Sequence, residues 1–211
     1  MDLGAAASAG GQRVGAVPHE MLKRMRFESF EPAGAAGAAE GRETLQAAIA
    51  MSTAFARDPH GWLVLVGDSG CGKTHLAVAV ANAALQRGEE VFFAFVPDLL
   101  DHLRYTFSPD SRVTYDELFD RVKQTPLLVL DDLGSETSTP WANEKLYQII
   151  VHRHNARLPT VITTRAIPTG SNNPIASRLN DPRLVVVMPI TAPDYRQPSV
   201  TPRRKRAAGA G

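Results

Sequence analysis

The chain has 211 residues, enough for one α/β domain, and its 44% hydrophobic and 21% charged residues are typical of a globular protein. No apolar run approaches the roughly 20 residues that span a bilayer, and no apolar signal segment opens the chain, which excludes an integral membrane protein and favours a cytoplasmic location. The single cysteine excludes a disulfide framework, and the net charge of +1 excludes a strongly basic field over the whole chain.

Short apolar runs alternate with helical patterns through most of the chain. Five runs predict buried strands, at 62–66, 91–95, 127–130, 160–163 and 184–188. Apolar periodicity and capping residues predict helices at 44–55, at 73–87, around 99–107, from a capping box at 114–117, at 140–155 behind Thr139, and at 174–180. Because the strands are apolar throughout and alternate with helices, they predict a parallel sheet that is covered on both faces.

Both ends of the chain lack this alternation. Residues 1–25 begin with a stretch rich in Ala and Gly and predict a flexible leader. Residues 197–211 predict a disordered basic tail, which holds four of the 23 basic residues in Arg203–Arg206. A single folded domain is therefore expected over 26–196.

A phosphate-binding motif follows the first predicted strand and opens the helix after it. Its residues, Gly67, Asp68, Ser69, Gly70, Cys71, Gly72, Lys73 and Thr74, match G-x-x-x-x-G-K-[ST]. The glycines let backbone N–H groups converge on phosphates at a helix N-terminus. We expect Lys73 to reach the β- and γ-phosphates of ATP and the Thr74 hydroxyl to bind Mg²⁺. The alternative, a Gly-rich turn with a chance lysine, fits poorly with a strand and a helix on either side.

Two acids, Asp131 and Asp132, come directly after the third predicted strand. Taken alone, such a pair is typical of a turn. Behind a phosphate-binding loop it is more typical of the acidic half of a nucleotide site. In that interpretation Asp131 holds Mg²⁺, and Asp132 orients or deprotonates the attacking water.

Three segments together, GDSGCGKTHLA, LLVLDDLG and IASRL, resemble the DnaC/IstB group of AAA+ ATPases. This group includes bacterial replicative-helicase loaders and transposition helper ATPases, and the resemblance covers roughly 25–196. It implies a P-loop NTPase of AAA+ type, with a five-stranded parallel sheet, helices on both faces and no large C-terminal lid domain. It also implies Mg²⁺-dependent ATP hydrolysis, assembly on single-stranded DNA, and a replicative helicase or a transposase as partner.

The resemblance also assigns roles to residues outside the two motifs. Phe30, in the segment before the domain, and His75, after the phosphate loop, would contact the nucleotide, and Arg196 would be a second phosphate sensor. Arg178 matches the arginine finger, which acts on the neighbouring subunit and therefore implies a homo-oligomer. From the residues alone, Arg178 could equally be a solvated arginine or the partner of a helix end.

The sequence departs from the family at the end of the fourth predicted strand. The family has Thr-[Ser/Thr]-Asn there, and this chain has Thr163, Thr164 and Arg165. In the family the Asn amide positions the hydrolytic water, and Thr164 is our candidate for the residue that takes over this role. Because a cation replaces that amide, we expect slow or differently gated hydrolysis. A nucleotide-gated binding module with little turnover is therefore one alternative, and a P-loop phosphotransferase is another, although no arginine-rich lid is evident.

Two further features of the sequence support a role in helicase loading less well than they support an ATPase domain. Family members carry a folded N-terminal arm that grips the partner, whereas we expect only 25 residues before the domain here, as in a fragment or a stand-alone ATPase. The insertion after the second strand corresponds to a DNA-tracking region in the family. It carries basic and aromatic residues, whose side chains suit contacts with the phosphates and bases of single-stranded DNA. The same residues could instead be core or solvated positions. They are His102, Arg104, Tyr105, Phe107, Arg112 and Lys123.

Overall fold

The computed structural model describes residues 15–31, 41–136, 139–169 and 173–195. Its helices are α1 His19–Arg24, α2 Arg42–Arg57, α3 Lys73–Gln86, α4 Val96–Tyr105, α5 Tyr115–Gln124, α6 Pro140–Asn155 and α7 Pro174–Leu179. Its strands are β1 Trp62–Gly67, β2 Val91–Phe95, β3 Leu127–Leu133, β4 Thr160–Thr164 and β5 Val185–Ile190. Every predicted strand is present, at bounds within two or three residues of those predicted.

The five strands form one parallel sheet in the order β2-β3-β4-β1-β5. Alternate residues of each strand face opposite sides, so that Leu63 and Leu65 pack in one core with α2 and α3. Trp62 and Val64 pack in the other core, with α4, α5, α6 and α7. The predicted parallel sheet with helices on both faces is therefore confirmed.

The starts of α5 and α6 follow their predicted capping residues, and α4 ends before the predicted position. The capping box at α5 forms, with the Thr114 hydroxyl accepting from the Glu117 N–H at 3.2 Å and the Glu117 carboxylate accepting from the Thr114 N–H at 3.0 Å. Helix α4 ends at Tyr105, so the prediction that this helix extends to Phe107 is wrong. Phe107 is 64% exposed and stacks on Tyr115, with 5.0 Å between ring centroids.

Part of the expected flexible leader belongs to the folded domain. The Gly15 carbonyl accepts from the Phe93 N–H at 3.0 Å on the outer edge of β2, and Val17 is buried. Helix α1 packs on α3, where the Asn82 amide donates to the Leu22 carbonyl at 2.9 Å. Residues 15–25 are therefore ordered against the sheet, because they cover an edge strand and an apolar helix face. The remaining leader residues, 1–14, and the basic tail lie outside the described residues.

A fully buried arginine on α6 joins three elements on the far side of the sheet from the phosphate loop. Arg153 Nε donates to Thr160 Oγ1 at 2.9 Å, and its two terminal nitrogens donate to the carbonyls of Lys123, Thr125 and Pro159 at 3.0, 2.8 and 2.6 Å. Burial lowers the pKa of Arg153 to about 9, which still leaves it charged at neutral pH. None of the described helices is long and apolar enough to cross a membrane.

Candidate nucleotide-binding site

The phosphate loop follows β1, which lies between the central strand β4 and the edge strand β5. Gly70 and Gly72 have φ angles of +78° and +103°, a left-handed backbone that side chains rarely adopt. A Cβ at Gly72 would come within 2.8 Å of the Phe30 ring. Helix α3 begins at Lys73, so the loop presents backbone N–H groups at a helix N-terminus, as the motif predicts.

The lysine of the motif is buried in the loop that it serves. Lys73 Nζ donates to the carbonyls of Gly67 and Asp68 at 2.7 and 2.8 Å, and only 7% of the residue is exposed. Its ammonium therefore spans the concave side of the loop. Asp68 and Ser69, at the tip of the loop, are exposed, whereas the Cys71 side chain packs in the core beneath it. The ammonium thus lies inside the loop that the motif predicts to bind phosphates.

The predicted metal ligands are in direct contact. Thr74 Oγ1 lies 3.1 and 2.9 Å from the two carboxylate oxygens of Asp131, across the gap between α3 and β3. Burial raises the pKa of Asp131, although hydroxyls from Thr163 and Thr74 donate to the carboxylate and oppose this effect. A carboxylate and a hydroxyl are the hard oxygen ligands that Mg²⁺ prefers, so the donor set fits that cation.

The second acid sits on an irregular turn of its strand. Asp132 has a φ of +63°, in the left-handed region, and its N–H donates to Thr163 Oγ1 at 2.8 Å. Its side chain is half-buried and lines an open cleft with Gly134, Ser135 and Arg165. The acid proposed to act on water therefore faces solvent beside the buried Asp131, and it shares the cleft with the cation that replaces the family's amide.

Two chain segments from outside the sheet close on the phosphate loop. Phe30 packs edge to face on His75, with 4.8 Å between ring centroids, and His75 Nε2 donates to the Arg26 carbonyl at 2.9 Å. After β5, the Tyr195 N–H donates to the Gly70 carbonyl at 3.1 Å. The structure thus brings Phe30 and His75 to the loop, as the resemblance implies, while Arg196 lies outside the described residues.

Two further residues expected in the site are engaged elsewhere in the single chain. The Thr164 hydroxyl is buried and donates to the carbonyls of Leu133 and Ala166, at 2.7 and 2.8 Å. Arg178 Nη1 donates to the Pro174 carbonyl of its own helix at 2.8 Å, and its guanidinium lies 5.5 Å from the Tyr147 ring centroid. The catalytic roles given to these two residues stay predictions.

The residue that sequence reasoning missed at the site is Thr163. Its hydroxyl donates to Asp131 at 2.6 Å, whereas only the neighbouring Thr164 was expected among the site residues. Alternation along β4 offered a signal, because Thr163 and Val161 point to the same face and Thr164 to the other. Choosing between the two threonines required the local register of β3 against β4, which the sequence does not display.

Comparisons with known proteins agree with this geometry. The family described as IstB-like ATP binding protein matches residues 22–184. The replicative helicase loader DnaI of Bacillus subtilis is 31% identical over 107 residues, covering 50% of this chain and 33% of the relative. The replicative helicase loader DnaC of Escherichia coli is 30% identical over 103 residues, covering 49% of this chain and 42% of the relative. The chain thus spans half or less of the length of these curated relatives.

Solved structures show the same fold. A crystal structure of the DnaC helicase loader superimposes with a TM-score of 0.66 and 24% identity, over 82% of this chain and all of the other. A crystal structure of DnaI gives a TM-score of 0.63 and 26% identity, over 85% of this chain and 94% of the other. The replication initiator DnaA bound to AMPPCP and single-stranded DNA gives 0.62 at 17% identity, over 79% and 49%. The AAA+ type of fold is confirmed. The site combines a phosphate loop with a threonine and an acid in contact. Because the family model also matches residues 22–184, the chain belongs to the family of IstB-like ATP binding proteins.

Proposed function

We propose that the protein binds ATP together with Mg²⁺ and hydrolyses it to ADP and phosphate. The observation that carries the proposal is the contact between Thr74 and Asp131 directly beside the buried Lys73. A cation, a hydroxyl and a carboxylate converge there on a loop whose N–H groups suit phosphates.

The chain's own residues supply the parts of a hydrolytic reaction. Loop N–H groups and the Lys73 ammonium hold the phosphates, and Mg²⁺, when bound by Thr74 and Asp131, offsets the charge of the phosphate oxygens. Asp132 accepts a proton from the attacking water, whose oxygen bonds to the γ-phosphorus as the bond from that phosphorus to the bridging oxygen breaks. ADP and phosphate leave, and Asp132 returns its proton to solvent.

We further propose that Arg178 completes the site of a neighbouring copy. Within one chain the guanidinium rests on its own helix and on Tyr147, and Arg178 Nε is buried without a hydrogen-bond partner among the described residues. An arginine brought to a γ-phosphate in this way stabilises the charge of the transition state. This role requires a homo-oligomer.

Assembly on single-stranded DNA is the proposed purpose of that oligomer. Support comes from a stack of three aromatic rings, the exposed Phe107, the half-buried Tyr115 and the buried Phe119, whose neighbouring rings lie 5.0 and 5.1 Å apart. Lys145 Nζ lies 5.6 Å from the Tyr115 ring, and Lys123 Nζ lies 4.9 Å from the Phe119 ring. Aromatic faces beside cations suit bases and phosphates of a single strand. A replicative helicase or a transposase in the cytoplasm is the proposed partner, because two relatives are named as helicase loaders.

A binding module that hardly turns over is the second candidate, favoured by one observation. Arg165 is exposed and lines the same cleft as Asp132, and a cation thus stands where the family has the amide that positions the attacking water. Release of phosphate from ATP, measured with and without Mg²⁺, single-stranded DNA and an added phosphoryl acceptor, separates the candidates. Hydrolysis abolished in Asp132→Asn supports the ATPase. Tight ATP binding without turnover supports the module, and acceptor phosphorylation supports a phosphotransferase.

A further inference from the structure

Strand β3 is irregular at its two acids, and one residue of β4 faces the irregularity. Between Leu130 and Leu133, β3 contains one residue more than the facing stretch of β4. Asp131 and Asp132 are therefore both opposite Thr163. Such a bulge disrupts the backbone ladder locally and redirects the side chains of the longer strand. At this place the redirected side chains are the two acids of the nucleotide site.

The Thr163 side chain replaces the hydrogen bond that the ladder loses. The Asp132 N–H donates to Thr163 Oγ1 at 2.8 Å, and Thr163 Oγ1 donates to Asp131 Oδ1 at 2.6 Å. Because a backbone N–H can only donate, it uses the accepting side of the hydroxyl and leaves the hydroxyl proton for the carboxylate. Thr163 is only 1% exposed, so water does not compete for either bond. One hydroxyl thus holds both acids.

We propose that Thr163 is the positioning residue of the metal site, which sets the orientation of Asp131 and the backbone of Asp132 together. Its bond to Oδ1 fixes the plane of the carboxylate, whose two oxygens lie 3.1 and 2.9 Å from Thr74 Oγ1. Its bond to the N–H stabilises the left-handed conformation of Asp132, which an aspartate adopts at a cost in free energy. The proposal rests on the ATPase function proposed above and deepens it.

The threonine next in sequence does not duplicate this role. Thr164 hydrogen-bonds to backbone carbonyls on the opposite face of the strand end, and neither acid is among its partners. A residue that orients a carboxylate ligand of a metal typically changes metal affinity or activity by about 10- to 100-fold when it is removed. Loss of Thr163 should therefore weaken metal binding far more than nucleotide binding, because the phosphate loop does not depend on the bulge.

The test is a Mn²⁺ titration, followed by electron paramagnetic resonance, of the protein saturated with ADP. Thr163→Val keeps the shape and removes the hydroxyl. We expect it to weaken Mn²⁺ binding by about 10- to 100-fold, while ADP affinity without metal stays within about twofold. Thr163→Ser should restore Mn²⁺ affinity. Thr160→Val is the matched control: it lies on the same strand, is buried, and loses the hydrogen bond from Arg153. It should lower the melting temperature and leave Mn²⁺ affinity unchanged.

Several outcomes overturn the proposal. Unchanged Mn²⁺ affinity in Thr163→Val, an equal loss of metal-free ADP affinity, or no recovery in Thr163→Ser each assigns the residue to packing alone. If Thr163→Val does not fold, Thr163→Ser and Thr163→Ala carry the comparison, because they differ by one oxygen atom. Failure of the unsubstituted protein to bind ADP would instead refute the proposed function, so the two failures are distinguishable.

Discussion

Arg153 offers the sharpest test of what holds the domain together. Four of its hydrogen bonds are 2.6–3.0 Å long, and none of its acceptors is a carboxylate. A hydrogen bond from a charged donor contributes about 1.5–3 kcal/mol, whereas burying the guanidinium costs several kcal/mol. Replacement by methionine removes both effects and leaves four backbone carbonyls without this donor, those of Val122, Lys123, Thr125 and Pro159.

We expect Arg153→Met to lower the free energy of unfolding by about 3–5 kcal/mol, because several buried carbonyls each lose a donor at a cost of about 1–3 kcal/mol, and relief from burying the guanidinium offsets part of this cost. For a domain of this size that corresponds to a decrease in Tm of about 10–15 °C. Urea unfolding and thermal melting, followed by circular dichroism, measure both quantities. Arg57→Met, at the exposed end of α2, is the control and should change stability by less than about 0.5 kcal/mol. Equal stability of Arg153→Met and the unsubstituted protein would refute the reasoning.

Asp131→Asn should raise the Tm of the nucleotide-free protein at neutral pH and abolish Mg²⁺-dependent hydrolysis, because burial raises the pKa of Asp131 and its ionised form destabilises the fold. In the unsubstituted protein, the free energy of unfolding should accordingly decrease as pH rises from about 4 through the raised pKa of Asp131. The same decrease should be smaller in the variant. A lower Tm in the variant would contradict this reasoning. Arg178→Ala and Lys73→Ala, each inactive alone, should regain phosphate release when mixed, and no recovery in proven mixed assemblies would remove the role in trans. Arg165→Asn should raise kcat for ATP hydrolysis with little change in Tm, whereas a fall in kcat would make Arg165 a phosphate ligand.

The sheet and the phosphate loop could be predicted because local patterns determine them. Apolar runs mark buried strands wherever they occur, and the loop needs its glycines, lysine and threonine in consecutive order. Thr163 could not be chosen over Thr164, because an extra residue in β3 decides which threonine meets the acids. Arg153 was missed although it continues the buried positions Leu146, Ile149 and Ile150 of α6 at helical spacing. A charged residue at a core position signals a buried polar network, and its partners come from distant segments.

Contacts at the phosphate loop tie the domain's flanking segments to each other. The Tyr195 hydroxyl donates to Glu31 Oε2 at 3.1 Å, between residues 164 positions apart, while Tyr195 also holds Gly70 and Phe30 covers Gly72. A nucleotide bound on this loop would lie where the segment before the sheet, at Phe30 and Glu31, meets the segment after it, at Tyr195. Occupancy would then act as a reversible cross-link, and slower amide hydrogen exchange should appear in both segments at once. Through these few hydrogen bonds, a bound phosphate would restrict the motion of both flanking segments together.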